Sequence, residues 1–338
     1  MRKLLAGSVL VAVVVCLVGA LWGRAAEIDA DLWASRRWFP SIGPGLRAVR
    51  HGANGNYYVL ASPGVGVAIF DSNGKQLSVI GASAPASGAA GNASDAGSIG
   101  FGEDCDVDAK GDVYVADSAK NLISEFAPDG KPLRSFPASS LLSLAVLPEG
   151  EVAVTKMQET HHVTVYGADG KVSREFGDLE SLSSRADIDR YLNLGRVAAD
   201  PQGHIYYGFT YMPEPLVRKY DRFGNASQEF VFVGVDAYPE ASATRKAIVR
   251  QEDSDKPLAF HPILTAFGVD PVEGDVWMGL HNTLVHFDKD GIRRSEYQIY
   301  TQKGTPLDAV VILVEENRLL IGSDPLGIYE FRRPDRIR

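Results

Sequence analysis

Residues 104–136 read DCDVDAKGDVYVADSAKNLISEFAPDGKPLRSF. The stretch reads as four short strands joined by tight turns. Lys110-Gly111-Asp112 and Pro128-Asp129-Gly130-Lys131 mark two of those turns, because glycine reaches the positive φ that a short hairpin needs. Between them Val, Tyr, Ile and Phe alternate with polar residues, the period-two pattern of strands facing a core.

Variants of the unit recur along the chain. The glycine between the first two strands pairs with the glycine between the last two as Gly55 with Gly74, Gly111 with Gly130, Gly150 with Gly170, Gly203 with Gly224 and Gly274 with Gly291. Their separations are 19, 19, 20, 21 and 17 residues, and such near-constancy marks a repeat architecture. A sixth unit, through Ala309-Val310-Val311-Ile312, Leu319-Leu320-Ile321 and Ile328-Tyr329-Glu330-Phe331, has only three strands. At the other end Ser35-Arg36-Arg37-Trp38-Phe39 is left over and has the character of an outer strand. Pairing it with residues 328–331 makes six four-stranded blades and covers two open sheet edges.

The core Val107-Asp108, Gly111, Val113-Tyr114-Val115-Ala116-Asp117, Phe126 and Asp129-Gly130-Lys131 resembles the NHL-repeat family of β-propellers. The resemblance spans residues 35–333. The second unit matches closely, and the others keep the glycines and the apolar alternation but lose much of the motif; the third has Val154-Thr155-Lys156 where the Ala-Asp step belongs. It implies an all-β fold: a six-bladed β-propeller of four-stranded antiparallel blades, the ring closed by an N-terminal strand. It specifies little chemistry, because the family hosts binders, scaffolds, sensors and a few enzymes. It also implies that blade-to-blade connections share a face with the loops between second and third strands. Three long insertions, 82–100, 179–194 and 234–263, would then elaborate one face. The first is Ala/Ser/Gly-rich and reads as a surface loop. The second predicts one or two helical turns capped by serine in Ser183-Ser184. The third predicts a helix over 242–253.

The chain of 338 residues carries a net charge of −9, and −12 once Arg2, Lys3 and Arg24 are set aside. An acidic body argues against nucleic acid as a partner, since phosphate binding needs a basic stripe. Arg2 and Lys3 precede an uncharged, Leu/Val/Ala-rich stretch at 4–23. Residues 1–25 read either as a signal peptide cut after Ala25 or as an N-terminal membrane anchor through 4–23. Both export residues 26–338, the propeller, to a periplasmic or extracellular location, and the second tethers it to the cytoplasmic membrane. Beyond the leader Cys105 is the sole cysteine, so no internal disulfide is expected, and its strand position predicts a small buried hydrophobe.

Sorting loops by face places Asp117, His161, His162, Arg196, Tyr211, His261, His281 and Asp324 on the elaborated side. Arg196 opens an inner strand, where its guanidinium either grips a ligand carboxylate or phosphate through two parallel hydrogen bonds or pairs internally with Glu103 or Asp104. Asp117 reads as a turn-forming aspartate that binds backbone amides. Arg250 lies on the third insertion. The ligand-binding candidates are therefore Arg196, Tyr211, Arg250, His261, His281 and Asp324. His161, His162, His261 and His281 are the candidate metal ligands, although no pair has local ligand spacing and the adjacent pair should point oppositely. The composition and insertions predict an exported binding module for a peptide, glycan or protein, without a cofactor. The alternative is a zinc- or calcium-dependent lyase or hydrolase at the channel mouth.

Overall fold

The computed structural model describes residues 30–64, 66–82, 97–157, 160–233 and 239–336. The expected leader and most of the insertion at 82–100 lie outside the described residues. Among the described residues no helix is long and apolar enough to cross a membrane.

Among the described residues, twenty-four strands form six antiparallel blades, and a twenty-fifth adds to one of them. Blade 1 holds β3 (Leu46–His51), β4 (Tyr57–Ala61), β5 (Gly66–Phe70) and β6 (Gln76–Ile80). Blade 2 holds β7 (Gly102–Val107), β8 (Val113–Asp117), β9 (Leu122–Phe126) and β10 (Pro132–Pro137). Blade 3 runs through β11 (Leu141–Val146), β12 (Val152–Lys156), β13 (His161–Tyr166) and β14 (Val172–Asp178). Blade 4 comprises β15 (Gly195–Ala199), β16 (Ile205–Phe209), β17 (Leu216–Tyr220) and β18 (Ala226–Val231). Blade 5 comprises β19 (Ala266–Val269), β20 (Val276–Leu280), β21 (Thr283–Phe287) and β22 (Arg293–Tyr300). Blade 6 is β23 (Val311–Val314), β24 (Arg318–Ser323) and β25 (Gly327–Arg332), with β2 (Arg36–Trp38) as its outer strand.

All ten landmark glycines have positive φ, between 75° and 95°. The turn at Gly111 shows why. Asp108 N donates to Asp112 O at 3.0 Å and Gly111 N to Asp108 O at 3.0 Å, while Asp108 Oδ1 accepts from Lys110 N and Asp112 N. The aspartate closes the turn and glycine takes the left-handed step.

The second strands are buried almost throughout, and β4, β8, β16 and β20 at all five positions. Both faces of each blade are covered by neighbours, so these strands read as continuous apolar runs. The packing divides into six clusters, one in each gap between adjacent blades. Each Val, Leu or Phe buried there contributes roughly 1.5–3 kcal/mol. Cys105 is fully buried in the cluster between blades 1 and 2. Burial pushes its thiol far above the usual range, so it is an inert packing residue.

One element was not anticipated. β1 (Ala30–Trp33) runs parallel to β22 as a fifth strand on blade 5, and Trp33 stacks on Tyr300 at 5.2 Å. The chain then crosses to blade 6: Ala34 N donates to Tyr300 O and Ser35 N to Glu330 O. In β2, Arg36 pairs with Glu330 and Trp38 with Ile328. Glu330 gathers the seam, accepting from Trp38 Nε1 at 2.7 Å, Arg36 Nε at 3.1 Å and Arg318 Nη1 at 3.0 Å. Arg318 extends the network to Glu315, whose carboxylate also meets His51 Nδ1 and Tyr57 Oη, each at 2.7 Å. The network therefore links the N-terminal strand, blade 6 and blade 1.

Two outcomes test this seam. Glu330→Ala removes the shared acceptor and should cost about 2 kcal/mol in chemical denaturation, with faster proteolysis ahead of residue 40. For Glu315, burial raises the carboxyl pKa, but hydrogen bonds from His51, Tyr57 and Arg318 outweigh it and hold it at about 2. The folded state therefore binds this proton less readily than the unfolded chain. Its contribution, on the order of 1–2 kcal/mol after solvent screening, is complete above about pH 4.5 and lost as pH falls toward 2. Glu315→Gln should flatten that part of the stability–pH curve, and an unchanged slope would count against the network.

Candidate functional site

The first strands of blades 1 to 3 share an irregularity at the end where the blade-to-blade connection enters. Register skips one residue in each, at Arg47, Glu103 and Leu142. A bulge leaves the extra residue outside the ladder and re-aims its side chain. Blade 4 keeps regular pairing, with Arg196 opposite Gly208. All four residues line one cavity of about 510 Å³ on the elaborated face, a volume typical of small-molecule sites.

The insertions wall the cavity. Helix α1 (Ala186–Leu192) supplies Asp187, Arg190 and Tyr191, and Leu258 follows α2 (Pro239–Glu252). The second-to-third-strand loop of blade 4 adds Thr210 and Tyr211. The two helical insertions share an apolar cluster of Ile188, Leu192, Ala247, Ile248 and Phe260. Tyr191 packs on Tyr211 at 4.9 Å and on Phe260 at 5.4 Å. α2 begins at Pro239, a residue preorganised for a first helical turn. The serine cap expected for α1 is not formed: its N-cap is Arg185, without a side-chain cap bond. Ser183 and Ser184 lie ahead of the cap position and donate their hydroxyls to Glu252 of α2, while Ser183 Oγ accepts from Arg185 N. Arg185 donates to Gln251 O and Ser254 O and pairs with Asp187. The two insertions are thus tied into one roof.

The charges in the cavity are unusual. Most half-buried or buried arginines in the described residues meet a carboxylate: Arg50 meets Asp104, Arg174 Glu151, Arg218 Glu180 and Glu229, and Arg333 Asp270. Arg47 and Arg196 alone are neither exposed nor paired, among the described residues, with an acid. Arg47 Nε is buried without a hydrogen-bond partner, and its guanidinium lies 5.1 Å from the Phe101 ring. The internal partners expected for Arg196 are otherwise engaged: Asp104 holds Arg50 and Ser143, and Glu103 accepts from Ser118 Oγ at 2.8 Å. Burial, reinforced by Tyr191, raises the Tyr211 hydroxyl above its usual range, although Arg196 pulls it the other way. Tyr211 therefore stays a neutral hydroxyl donor at neutral pH.

Of the ligand-binding candidates, the cavity gathers Arg196 and Tyr211. Arg250, His261 and Asp324 are exposed and not among its lining residues; Asp324 Oδ1 accepts from Gly45 N at 3.0 Å. His281 sits at φ 55° with Nε2 3.1 Å from Pro262 O. His161 is half-exposed and His162 buried, the opposite orientations expected of strand neighbours. Both His162 ring nitrogens are engaged, Nδ1 with Tyr220 Oη at 3.1 Å and Nε2 with Asn193 Oδ1 at 2.9 Å. Burial lowers its pKa to about 4. Asp117 binds the amides of Gly100, Phe101 and Lys120, as a turn aspartate should.

The four candidate histidines do not converge. Among the described residues, the grouping close enough to share an ion is Asp275, His286 and Asp335, and Asp275 belongs to a first-to-second-strand turn, on the opposite face. There His286 Nε2 bonds Asp275 Oδ2 at 3.0 Å, and Asp335 is held by Arg333. A guanidinium already supplies the cation, so these donors do not fit a metal.

No family model and no curated protein matches this chain. Solved structures do. A streptogramin B lyase is similar at TM-score 0.52 and 14% identity, covering 88% of this chain and 86% of its own. A catalytically inactive virginiamycin B lyase from Staphylococcus aureus with quinupristin gives TM-score 0.52 at 13% identity, covering 88% and 98%. The WD40 repeats of RRP9 give TM-score 0.54 at 10% identity, covering 90% and 99%. The likeness is one of fold: this chain is a six-bladed β-propeller.

Sequence reading overlooked Arg47 as a lining residue. The signal was present: Arg47, Glu103 and Leu142 each lie eight residues before a landmark glycine, whereas Arg196 lies seven before Gly203. The extra residue is the bulge.

Since Arg196 supports no internal carboxylate, Arg196→Ala should change folding stability by no more than about 0.5 kcal/mol. Arg218→Ala, which removes the shared partner of the half-exposed Glu180 and Glu229, should cost about 1 kcal/mol. Parallel urea titrations of the two variants give the comparison, and equal losses would mean that Arg196 is a structural residue.

Proposed function

We propose that this chain is an exported binding module of the NHL type, with its ligand site in the cavity under the two helical insertions. It recognises a peptide, glycan or protein through an anionic group on that partner. The observation that carries this reading is the pair Arg47 and Arg196, half-buried beside one cavity and, among the described residues, in no ion pair. Holding two guanidiniums half out of solvent without an ion pair, one with its Nε buried and unpartnered, carries a cost that a ligand anion would offset. Arg196 offers the planar fork that grips a carboxylate, and Tyr211 and Thr210 offer hydroxyl donors beside it. Export is supported by Arg2 and Lys3 ahead of the uncharged stretch at 4–23. Cleavage frees the propeller, and retention tethers it to the membrane. The metal-dependent lyase or hydrolase is the weaker reading, because its candidate histidines are not gathered around one point.

A thermal-shift panel of carboxylates, phosphates and neutral compounds tests the proposal. Carboxylates at a hundredfold excess over Kd should stabilise the wild type by about 2.7 kcal/mol. The double variant Arg47→Ala/Arg196→Ala should lose this response and remain folded. Equal stabilisation of both proteins by neutral compounds would sink the reading. Elemental analysis should find less than one zinc or calcium per chain. A stoichiometric metal that disappears in His261→Ala/His281→Ala would reinstate the alternative.

A further inference from the structure

We infer that the ligand of this cavity is an amphiphilic monocarboxylate: one carboxylate on an apolar body, as at the C-terminus of a peptide ending in a large apolar residue or in a free apolar acid. The inference rests on the anion-site reading above and narrows it. The surroundings of the two arginines decide the body of the ligand. Leu142 and Met157 come from blade 3, Leu194 precedes Arg196, and Leu258 descends from the roof. Tyr191 and Tyr211 present ring surfaces between them. Beyond the charged side chains and the two tyrosine hydroxyls, Thr210 is the one polar side chain in the lining.

A glycan needs many polar partners, since each hydroxyl left unpaired in a closed site costs about 1–3 kcal/mol. Along Leu142, Met157, Leu194 and Leu258 this wall offers none. An inorganic anion would leave the apolar wall facing water. An apolar body covers Leu142, Leu194 and Leu258, while its carboxylate reaches Arg196 and Arg47. Met157 is exposed, with 45% of its surface open, and an unbranched thioether adapts to side chains of different shape. Glu103 shares the cavity with Arg47 and Arg196 and offsets part of their charge, which favours a single negative charge over a phosphate dianion.

Calorimetry on the purified full-length chain tests the inference with four probes: N-acetyl-Leu-Phe, its C-terminal amide, octanoate and a galacturonate trimer. The expected result is saturable binding of N-acetyl-Leu-Phe or octanoate. Affinity should fall at least about tenfold on amidation, and similarly in Arg196→Ala. Tighter binding of the dipeptide assigns the site to a peptide terminus, and tighter binding of octanoate to a free apolar acid. Equal binding of the acid and the amide overturns the inference. Binding of the galacturonate trimer alone, lost in Arg196→Ala, overturns it too but leaves the anion site standing. Failure of every probe, or indifference of every bound probe to Arg196→Ala, removes both.

Discussion

A sheet with two apolar faces has to be covered on both, and everything else in this protein follows from that constraint. A single blade cannot meet it, and two stacked blades would leave two faces wet. Six in a ring leave none, which is why β4, β8, β16 and β20 are buried at every position. The cores lie between blades, not within them. A ring has a seam, however, and here it falls between units built from opposite ends of the chain. The seam adds charge-assisted hydrogen bonds centred on Glu330 and Glu315 to an apolar cluster like those in the other gaps. β1 adds a second attachment on blade 5, so the N-terminal segment holds two blades rather than one.

The same ring sets the location of the cavity. First strands converge on the axis, and their entering ends point to the face that also bears the long connections. Three bulges there turn Arg47, Glu103 and Leu142 out of the ladder. The insertions after blades 3 and 4 then join over them through Glu252 with Ser183 and Ser184, and through Arg185 with the end of α2. The opposite face carries tight aspartate–glycine turns, and in its cluster Asp335 is held by Arg333 while His286 bonds Asp275. One face therefore carries the tight turns and the other the roofed cavity. Fold likeness to both lyases and WD40 repeats leaves the chemistry to these side chains.

Much of this was legible in the sequence, and each part for a local reason. The glycine spacing revealed the blades because a tight turn needs positive φ, a requirement of a few consecutive residues. Alternation revealed the strands because side chains point to opposite faces in every strand. The leftover strand at Arg36 and Trp38 could be assigned because the strand count left one place for it. Arg196 and Tyr211 could be placed on the elaborated side because loop order assigns each segment to a face. What stayed hidden was set by partners far apart in the chain. The expected pairing of Arg196 with Glu103 or Asp104 failed because Arg50 reached Asp104 first, from a neighbouring blade. The serines before α1 bond to a residue nearly seventy positions away, not to their own helix. Arg47 entered the site through a bulge, which has no composition of its own and shows only as one extra residue before Gly55. The sequence by itself determined the repeat, the blade and the face, since these depend on backbone conformation and period. Only the tertiary structure decided which charges meet and which are left unpaired, because ion pairing depends on distances that exist only after the ring has formed.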